Sequence, residues 1–557
     1  MSNLVAILLA GIAVFLPFVG EQVDSGDFCN IAIMVMVGII AVGISLCRRN
    51  LNMDVSRTDV ALLLFTGYVF VCDVFSSGLH LNRLFLYIFL SLLYISVKLN
   101  RKQVEKYLPY GIILTGVIQS CVAYMQLADV IPSFHSAFPC TGSFFNPAPL
   151  GAVIAIAIAI GTTLLAENRG FKRYLMISGI AFMLPILFYA DSRASWLACG
   201  VSVVLLLLNL LPIKRIWKVS ILIACLGLSA IPLYNHKPTS ADARLLIWNN
   251  CATMIKEKPI IGHGTDAVKR NYMLRQAEYF AQGGSNEEKL IAAHNNHAFN
   301  EALNVLCSYG LVGLALMVGV AVCFFLDTQK SNILSYSMGC IMIFSMFSYP
   351  MEELTFNTIA IISIACVPSK ECSICVSLRD KLAVVSVVAV LSAFFGYRLF
   401  FYEKINKALD EFHWDRNKVA FLADNFNTYE KEPLLVARYG LILKESGNYD
   451  KAVNVLKRMC ELRPTPDVFY DLGECYEKCK LYEEAEKCYH LVADMLPAYI
   501  TPQYRLLQLY QRTENVVSAK ETACYMLAMP LKKETVESEK MKLEAKDFLH
   551  TLKAYRQ

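Results

Sequence analysis

Ala148-Pro149-Leu150-Gly151-Ala152-Val153-Ile154-Ala155-Ile156-Ala157-Ile158-Ala159-Ile160-Gly161-Thr162-Thr163-Leu164-Leu165-Ala166 contains no charged side chain. At about 1.5 Å per helical residue, a run of this length crosses the roughly 30 Å hydrocarbon core of a bilayer. Similar apolar runs recur through the first 400 positions, at about 4–19, 31–47, 59–79, 84–98, 108–127, 174–190, 195–212, 219–234, 298–326, 332–349, 354–367 and 382–402. With 148–166 they make thirteen expected spans, so the fold class is all-α and the core a polytopic membrane helix bundle.

Composition agrees. The 557 residues are 56% hydrophobic and 18% charged, with mean hydropathy +0.44, whereas soluble domains carry about 25% charged residues. An ordinary soluble enzyme is excluded. The net charge of +5 averages an apolar part and a charged, helix-forming part beyond about Glu403, so it carries no message about nucleic acid. Many of the nineteen cysteines sit inside apolar runs, among them Cys121, Cys199, Cys225, Cys323 and Cys340, where a thiol behaves as a small hydrophobe. No disulfide framework and no metal site is expected: Cys372-Ser373-Ile374-Cys375 has no second pair or nearby His, and reads as chance spacing in a short loop. Leu4–Val19 lacks a basic leading region and a small-residue cleavage site, and is read as a retained span.

Loop charge sets the expected orientation. Arg48 and Arg49, Arg101 and Lys102, Arg169, Lys172 and Arg173, Lys214, Arg215 and Lys218, and Arg379 and Lys381 occupy alternate loops, as the positive-inside rule requires. The amino terminus is then cytoplasmic. Three polar pieces fall on the opposite side: Ala128–Pro147, the long Asn235–His297 loop, and everything after Tyr402. The expected organisation is a transmembrane domain over 1–402, with a large outer loop at about 235–297, followed by a helical domain over 403–557.

That tail repeats at a period of about 33. Arg438-Tyr439-Gly440 leads to Gly447-x-Tyr449-x-x-Ala452 and Pro464, and Asp471-Leu472-Gly473 leads to Tyr482-x-x-Ala485 and Pro497. Small residues at fixed points let paired helices approach, and Pro ends the second helix. The pattern resembles tetratricopeptide repeats, with about three copies stacked as a short solenoid and Pro466–Pro497 the clearest. Its concave face suits a peptide or partner; a spacer or cap on the membrane part is the plainer alternative.

Ionisable groups beside a bilayer are costly enough to need a reason. Asp191-Ser192-Arg193 joins two spans with almost no loop, and a fixed guanidinium there matches phosphate oxygens bidentately. Pairing with Asp191 as an interfacial anchor is the alternative. In the outer loop, Ala241–Trp248 reads as a helix with Arg244 and Trp248 on one face, a spacing that also fits a cation–π contact. Lys258-Pro259-Ile260-Ile261-Gly262-His263-Gly264 makes a tight turn with exposed amides, a weak anion-binding signal. His294-Asn295-Asn296-His297-Ala298-Phe299-Asn300-Glu301 runs into a span carrying Gly310-Leu311-Val312-Gly313. Either imidazole titrates near neutral pH and suits a general base, although a solvated loop histidine is the commoner case. Thr141-Gly142-Ser143-Phe144-Phe145-Asn146 enters the span quoted first, where Asn146 suits a helix cap. Glu352 and Glu353 form a carboxylate pair in a short outer turn, where solvation is the common fate.

Taken in order, these motifs resemble the O-antigen ligase and Wzy polymerase superfamily, which includes bacterial protein O-oligosaccharyltransferases. The resemblance covers about residues 130–350 and rests on the ordered set. It implies a GT-C-like bundle in the bacterial inner membrane with the carboxy-terminal domain periplasmic. It also implies inverting transfer of a glycan from undecaprenyl diphosphate to an acceptor hydroxyl, without metal or other cofactor. By position, Arg193 and Arg244 match the family arginines that hold the diphosphate. Trp248, Asn146, His263 and Asn300 would line the substrates, and a His at the end of the large loop would activate the acceptor. The family spacing His-[Asn/Ser/Gln]-x9-Gly-x-x-Gly fits Asn300, Gly310 and Gly313, but Phe299 stands at the His position, leaving His297 and His294 as the candidates for the base.

Three acceptors remain open: the sugar of a lipid A core for a ligase, another lipid-linked glycan for a polymerase, or Ser/Thr of a protein for an oligosaccharyltransferase. Ligase is placed first on the loop-to-Gly-x-x-Gly pattern. The non-enzyme alternative is a transporter or a membrane-anchored scaffold, but the polar groups gather at one face and no second half resembles the first.

Overall fold

The structure is a computed structural model that describes residues 2–18, 28–47, 52–76, 81–328, 333–368, 372–375, 377–410 and 416–554. Helices occupy every apolar run: α1 Ser2–Phe15, α2 Phe28–Leu46, α3 Arg57–Ser76, α4 Leu81–Leu99, α5 Arg101–Leu127, α6 Pro147–Glu167, α7 Phe171–Tyr189, α8 Arg193–Leu210 and α9 Arg215–His236. The outer loop holds α10 Pro238–Glu257, α11 Ala267–Ala281 and α12 Asn286–Ile291. The apolar series resumes with α13 Glu301–Asp327, α14 Leu334–Ser345, α15 Leu354–Ala365 and α16 Leu378–Asp410.

The tail is helical too, with α17 Arg416–Asp424, α18 Phe426–Tyr429, α19 Pro433–Glu445, α20 Tyr449–Leu462, α21 Pro466–Lys478, α22 Tyr482–Met495, α23 Ile500–Arg512, α24 Val516–Ala528 and α25 Val536–Ala554. Two compact units divide the chain. The first comprises Met1–Phe75, Leu79–His236 and Phe299–Tyr402; the second comprises Ser76–Gly78, Lys237–Ala298 and Glu403–Gln557.

In the first unit, α6 is the buried helix, surrounded by α5, α7, α8 and α14. Its small residues allow close approach. A Cβ on Gly151 would stand 2.8 Å from Ser195 Oγ of α8, and one on Gly116 of α5 would stand 2.5 Å from Ala157 Cβ. Among the described residues, seven helices, α3, α5, α6, α7, α9, α13 and α16, are long and apolar enough to cross a bilayer, and shorter apolar helices lie in α1, α2, α8, α14 and α15. The chain is a multi-pass membrane protein. The runs expected at 332–349 and 354–367 form shorter helices: α14 and α15 have 12 residues each, and the turn through Pro350 separates them where the sequence reading divided the two runs. Each is roughly 18 Å long, short of a full crossing.

Polar contacts gather the helix ends that strict alternation puts on one side. Lys98 at the end of α4 binds Asp59 at the start of α3 at 2.6 Å, with both side chains buried, and also donates to Val367 O beyond α15. Asn100 Nδ2 donates to Ser45 Oγ at the end of α2, and Thr58 Oγ1 to Asp327 at the end of α13. Two loops on this side form strands, β1 Asn52–Val55 and β2 Cys372–Cys375, paired antiparallel with Asn52 opposite Cys375. The Cys372–Cys375 segment, expected as a loop, is therefore a strand, because its backbone groups find partners in another loop of the same side.

At the entrance to α6, two glutamines of α5 fix the Thr141–Ser143 turn. Gln126 Oε1 accepts from Thr141 N and Gly142 N at 2.9 and 2.8 Å, and Gln119 Oε1 accepts from Ser143 N at 3.0 Å. Gly142 has φ +64°, and a Cβ there would stand 2.6 Å from Gln119 Oε1.

The second unit contains the solenoid. Pairs α19–α20, α21–α22 and α23–α24 stack in sequence, with α25 packed after them. The repeat glycines act as the pattern requires: a Cβ on Gly440 would meet Leu456 Cδ2 at 2.8 Å, and one on Gly473 would meet Tyr489 Cε1 at 2.6 Å. Ala452 and Ala485 are fully buried.

The Lys98–Asp59 pair gives a test. Lys98→Met leaves a buried carboxylate without its cation and is expected to cost about 3–5 kcal/mol, whereas Lys98→Met with Asp59→Asn should recover most of the loss. Thermal unfolding of the detergent-solubilised variants measures both; equal loss in the two would show that the pair is not a unit.

Candidate functional site

Arg193 is the first residue of α8, whose amino end is capped by Ser192 Oγ accepting from Ser195 N. The guanidinium is half-buried, and Nη1 donates to Leu233 O near the end of α9 at 2.9 Å. That bond ties α8 to α9 and fixes the cation where helical amides also point outward. Asp191 has a left-handed backbone, φ +48°. Its Oδ1 lies 2.7 Å from Nε2 of His236, the last residue of α9. The His236 ring lies 5.2 Å from the Trp196 ring, whose Nε1 donates to Leu187 O. The Asp191–Arg193 anchor, the alternative reading of this motif, is part of a wider cluster that includes a histidine.

His236 is a functional candidate that the sequence reading missed. The signal was available: a titratable side chain ending an apolar run, one residue before Lys237-Pro238. Asp73 and Arg83 were missed as well. Asp73 is buried and accepts from Tyr87 Oη at 2.6 Å and from Tyr309 Oη at 3.1 Å, with Arg83 Nη1 at 3.4 Å. An ionisable residue inside an apolar run was the readable clue. The network fixes Tyr309 directly before Gly310, where α13 kinks with φ +63°.

Asn300 and Phe299 lie in this first unit. Asn300 caps α13 by accepting from Leu303 N, and its Nδ2 donates to Met346 O at 3.2 Å. Phe299 has φ +50°, a strained conformation for a bulky residue, and its ring packs edge-on at 5.4 Å from Tyr349. Glu301 is buried and accepts from Met351 N at 2.9 Å. Glu352 and Glu353 lie in the turn between α14 and α15. Asn146 caps α6, accepting from Ala148 N at 2.9 Å.

Arg244, Trp248, His263, His294 and His297 belong to the second unit. Arg244 and Trp248 share a face of α10, and Trp248 Nε1 donates to Ala298 O at 2.9 Å, which brings α10 to the segment carrying His297. Asn295 brackets His297: its Nδ2 donates to His297 O at 2.6 Å, and its Oδ1 accepts from His297 N at 3.4 Å. His263 is turned inward, with Nε2 2.8 Å from Met254 O. His294 is open to solvent on one edge, but the protein crowding its other side lowers its imidazole pKa below the ordinary value. Arg463 adds to that lowering, while Asp467 opposes it.

Those two neighbours come from the repeats, for the loop and the solenoid are packed together. Helix α11 lies on α22, and Gln276, buried on α11, donates to Met495 O at 2.7 Å and to Ala293 O at 3.2 Å. Lys532, beyond α24, donates to Ile291 O at 3.0 Å and Ala292 O at 2.9 Å, capping the carboxyl end of α12. Asn250 Nδ2 and Asn296 Oδ1 are buried without a hydrogen-bond partner among the described residues.

Residues 178–318 match the O-antigen ligase family model, and residues 436–466 and 466–495 match tetratricopeptide repeats. A protein of Rickettsia conorii, provisionally named a polysaccharide ligase, is 25% identical over 320 residues, covering 52% of this chain and 74% of the relative. A similarly named protein of Rickettsia felis is 25% identical over 337 residues, covering 56% and 79%. The ligase-family match thus runs from within α7 to beyond the kink of α13, and the repeat matches cover α19 to α22 of the tail.

The lowered pKa of His294 predicts a pH dependence. The unfolded chain takes up the proton first as pH falls below about 6.5. The stability contributed by a neutral His294 is therefore full above that pH and falls as pH drops toward the folded value. The drop in thermal midpoint from pH 7.5 to 5.5 should be larger for the wild-type chain than for His294→Gln; identical drops would show that His294 is not held neutral.

Proposed function

We propose that the chain is an inverting transferase that moves a glycan from undecaprenyl diphosphate to an acceptor hydroxyl at the periplasmic face of a bacterial inner membrane. In this reading the amino terminus is cytoplasmic and the repeats are periplasmic. The observation that carries it is the fixed guanidinium of Arg193, held on Leu233 O at the first turn of α8 within the segment that matches the ligase family.

The chemistry follows from charge. Breaking the bond between the anomeric carbon and the diphosphate leaves negative charge on oxygen. Preorganised cations at a poorly hydrated boundary stabilise that charge more than water does. Arg193 and Arg244 are assigned the diphosphate, with Trp248, Asn146, His263 and Asn300 as substrate-lining groups. His263 and Asn300 would act mainly through the backbone they hold, given their bonds to Met254 O and Met346 O. The acceptor hydroxyl attacks from the side opposite the leaving group and passes its proton to a base. Of the two loop imidazoles, His297 is favoured because Trp248 holds the adjoining Ala298 O on the helix that carries Arg244.

The acceptor is placed as the sugar of a lipid A core. Purified protein incubated with an undecaprenyl-diphosphate-linked oligosaccharide and, in turn, lipid A core, a second donor or a Ser/Thr peptide identifies it. Arg193→Ala and Arg244→Ala should each slow transfer by about 10²–10³-fold. Wild-type turnover in both variants would sink the reading in favour of transport or scaffolding.

A further inference from the structure

The transfer proposed above needs an acceptor proton removed close to the departing diphosphate, and the first unit contains an imidazole fixed beside its arginine. His236 Nε2 lies 2.7 Å from Asp191 Oδ1, and Asp191 also interacts electrostatically with Arg193. Arg193 in turn donates to Leu233 O, three residues before His236 on the same helix. The His236 ring stands 5.2 Å from Trp196, which is itself anchored to Leu187 O. Three elements therefore converge: the end of α7, the first turn of α8 and the end of α9. The charged group that meets the imidazole is Asp191; Arg193 interacts with that carboxylate, and Lys237 follows His236 in sequence.

The arrangement has the parts of an activated base. With Nε2–H donated to Asp191, the tautomer is fixed and Nδ1 is the nitrogen that accepts a proton. The carboxylate stabilises the imidazolium once it forms. The left-handed φ of +48° at Asp191 is backbone strain, here spent on aiming a carboxylate at the imidazole. A plain interfacial anchor between Asp191 and Arg193 would need no histidine and no strain.

We propose that His236, oriented by Asp191, is the general base that activates the acceptor hydroxyl, with Asp191 as its positioning residue. This rests on the ligase reading and replaces His297 in the base role. The step balances as follows. The acceptor oxygen forms a bond to the anomeric carbon as its proton moves to Nδ1 of His236. The bond from the anomeric carbon to the diphosphate oxygen breaks, and its electron pair leaves with the diphosphate, whose charge Arg193 meets. The imidazolium then returns its proton to solvent.

The test uses the full-length protein in detergent, with an undecaprenyl-diphosphate-linked oligosaccharide as donor and the acceptor that wild type uses. His236→Gln keeps a hydrogen-bonding side chain for Asp191 but cannot take up the proton. It should retain the wild-type thermal midpoint and donor affinity and lose at least about 10²-fold in turnover. His236→Ala should be slow and partly restored by added imidazole. Asp191→Asn should lower kcat without changing KM for the donor. Wild-type turnover of His236→Gln, or a slow His236→Ala that imidazole leaves unchanged, would overturn the assignment. Arg193→Ala separates the two readings: if it is inactive while His236→Gln is fully active, only the base assignment fails, whereas full activity of both removes the ligase reading itself.

Discussion

A charge inside a bilayer must find an opposite charge, and in the first unit that requirement organises the helices. Asp59 meets Lys98 where α3 begins and α4 ends, and Asp73 meets Arg83 where α3 ends and α4 begins. Asp191 meets His236 between the ends of α7 and α9. Each pair joins neighbours at an end, because the middle of the bundle offers no water to repay the cost of desolvating an ion. The centre is left to packing, and α6 supplies it with alternating small and branched side chains that bring α5, α7 and α8 close.

The same requirement yields chemistry at one end. A pair that only anchors two helices can be buried and symmetric, as Lys98 and Asp59 are. The Asp191 cluster is half-exposed and strained, and it includes a titratable ring with an arginine beside it. Groups held that way have already met their ordering cost before any substrate arrives, which is the condition for stabilising charge in a transition state.

In the second unit, the repeats and the loop share a core. Helix α11 lies on α22, Gln276 reaches Met495 O, and Lys532 caps α12. A solenoid that supports its own chain's loop in this way explains why His294 feels the charges of Arg463 and Asp467, residues more than 160 positions away in sequence. It also gives the tail a structural task alongside any partner binding on its other surfaces.

The sequence by itself determined the helices, because apolar run length and the 33-residue period of small residues are local properties that only one backbone form can satisfy in each setting. It also marked Arg193, Arg244 and the His294–His297 segment, since charge beside an apolar run is visible without knowing neighbours. It could not show that Asp191 faces His236 across 45 positions, that Asn300 is occupied as a helix cap, or that α14 and α15 are short. It could not pair Asn52–Val55 with Cys372–Cys375 either. Those outcomes depend on which helix ends become neighbours. Only tertiary packing decides that, because hydrogen bonds and ion pairs act over a few ångströms of space and are indifferent to distance along the chain.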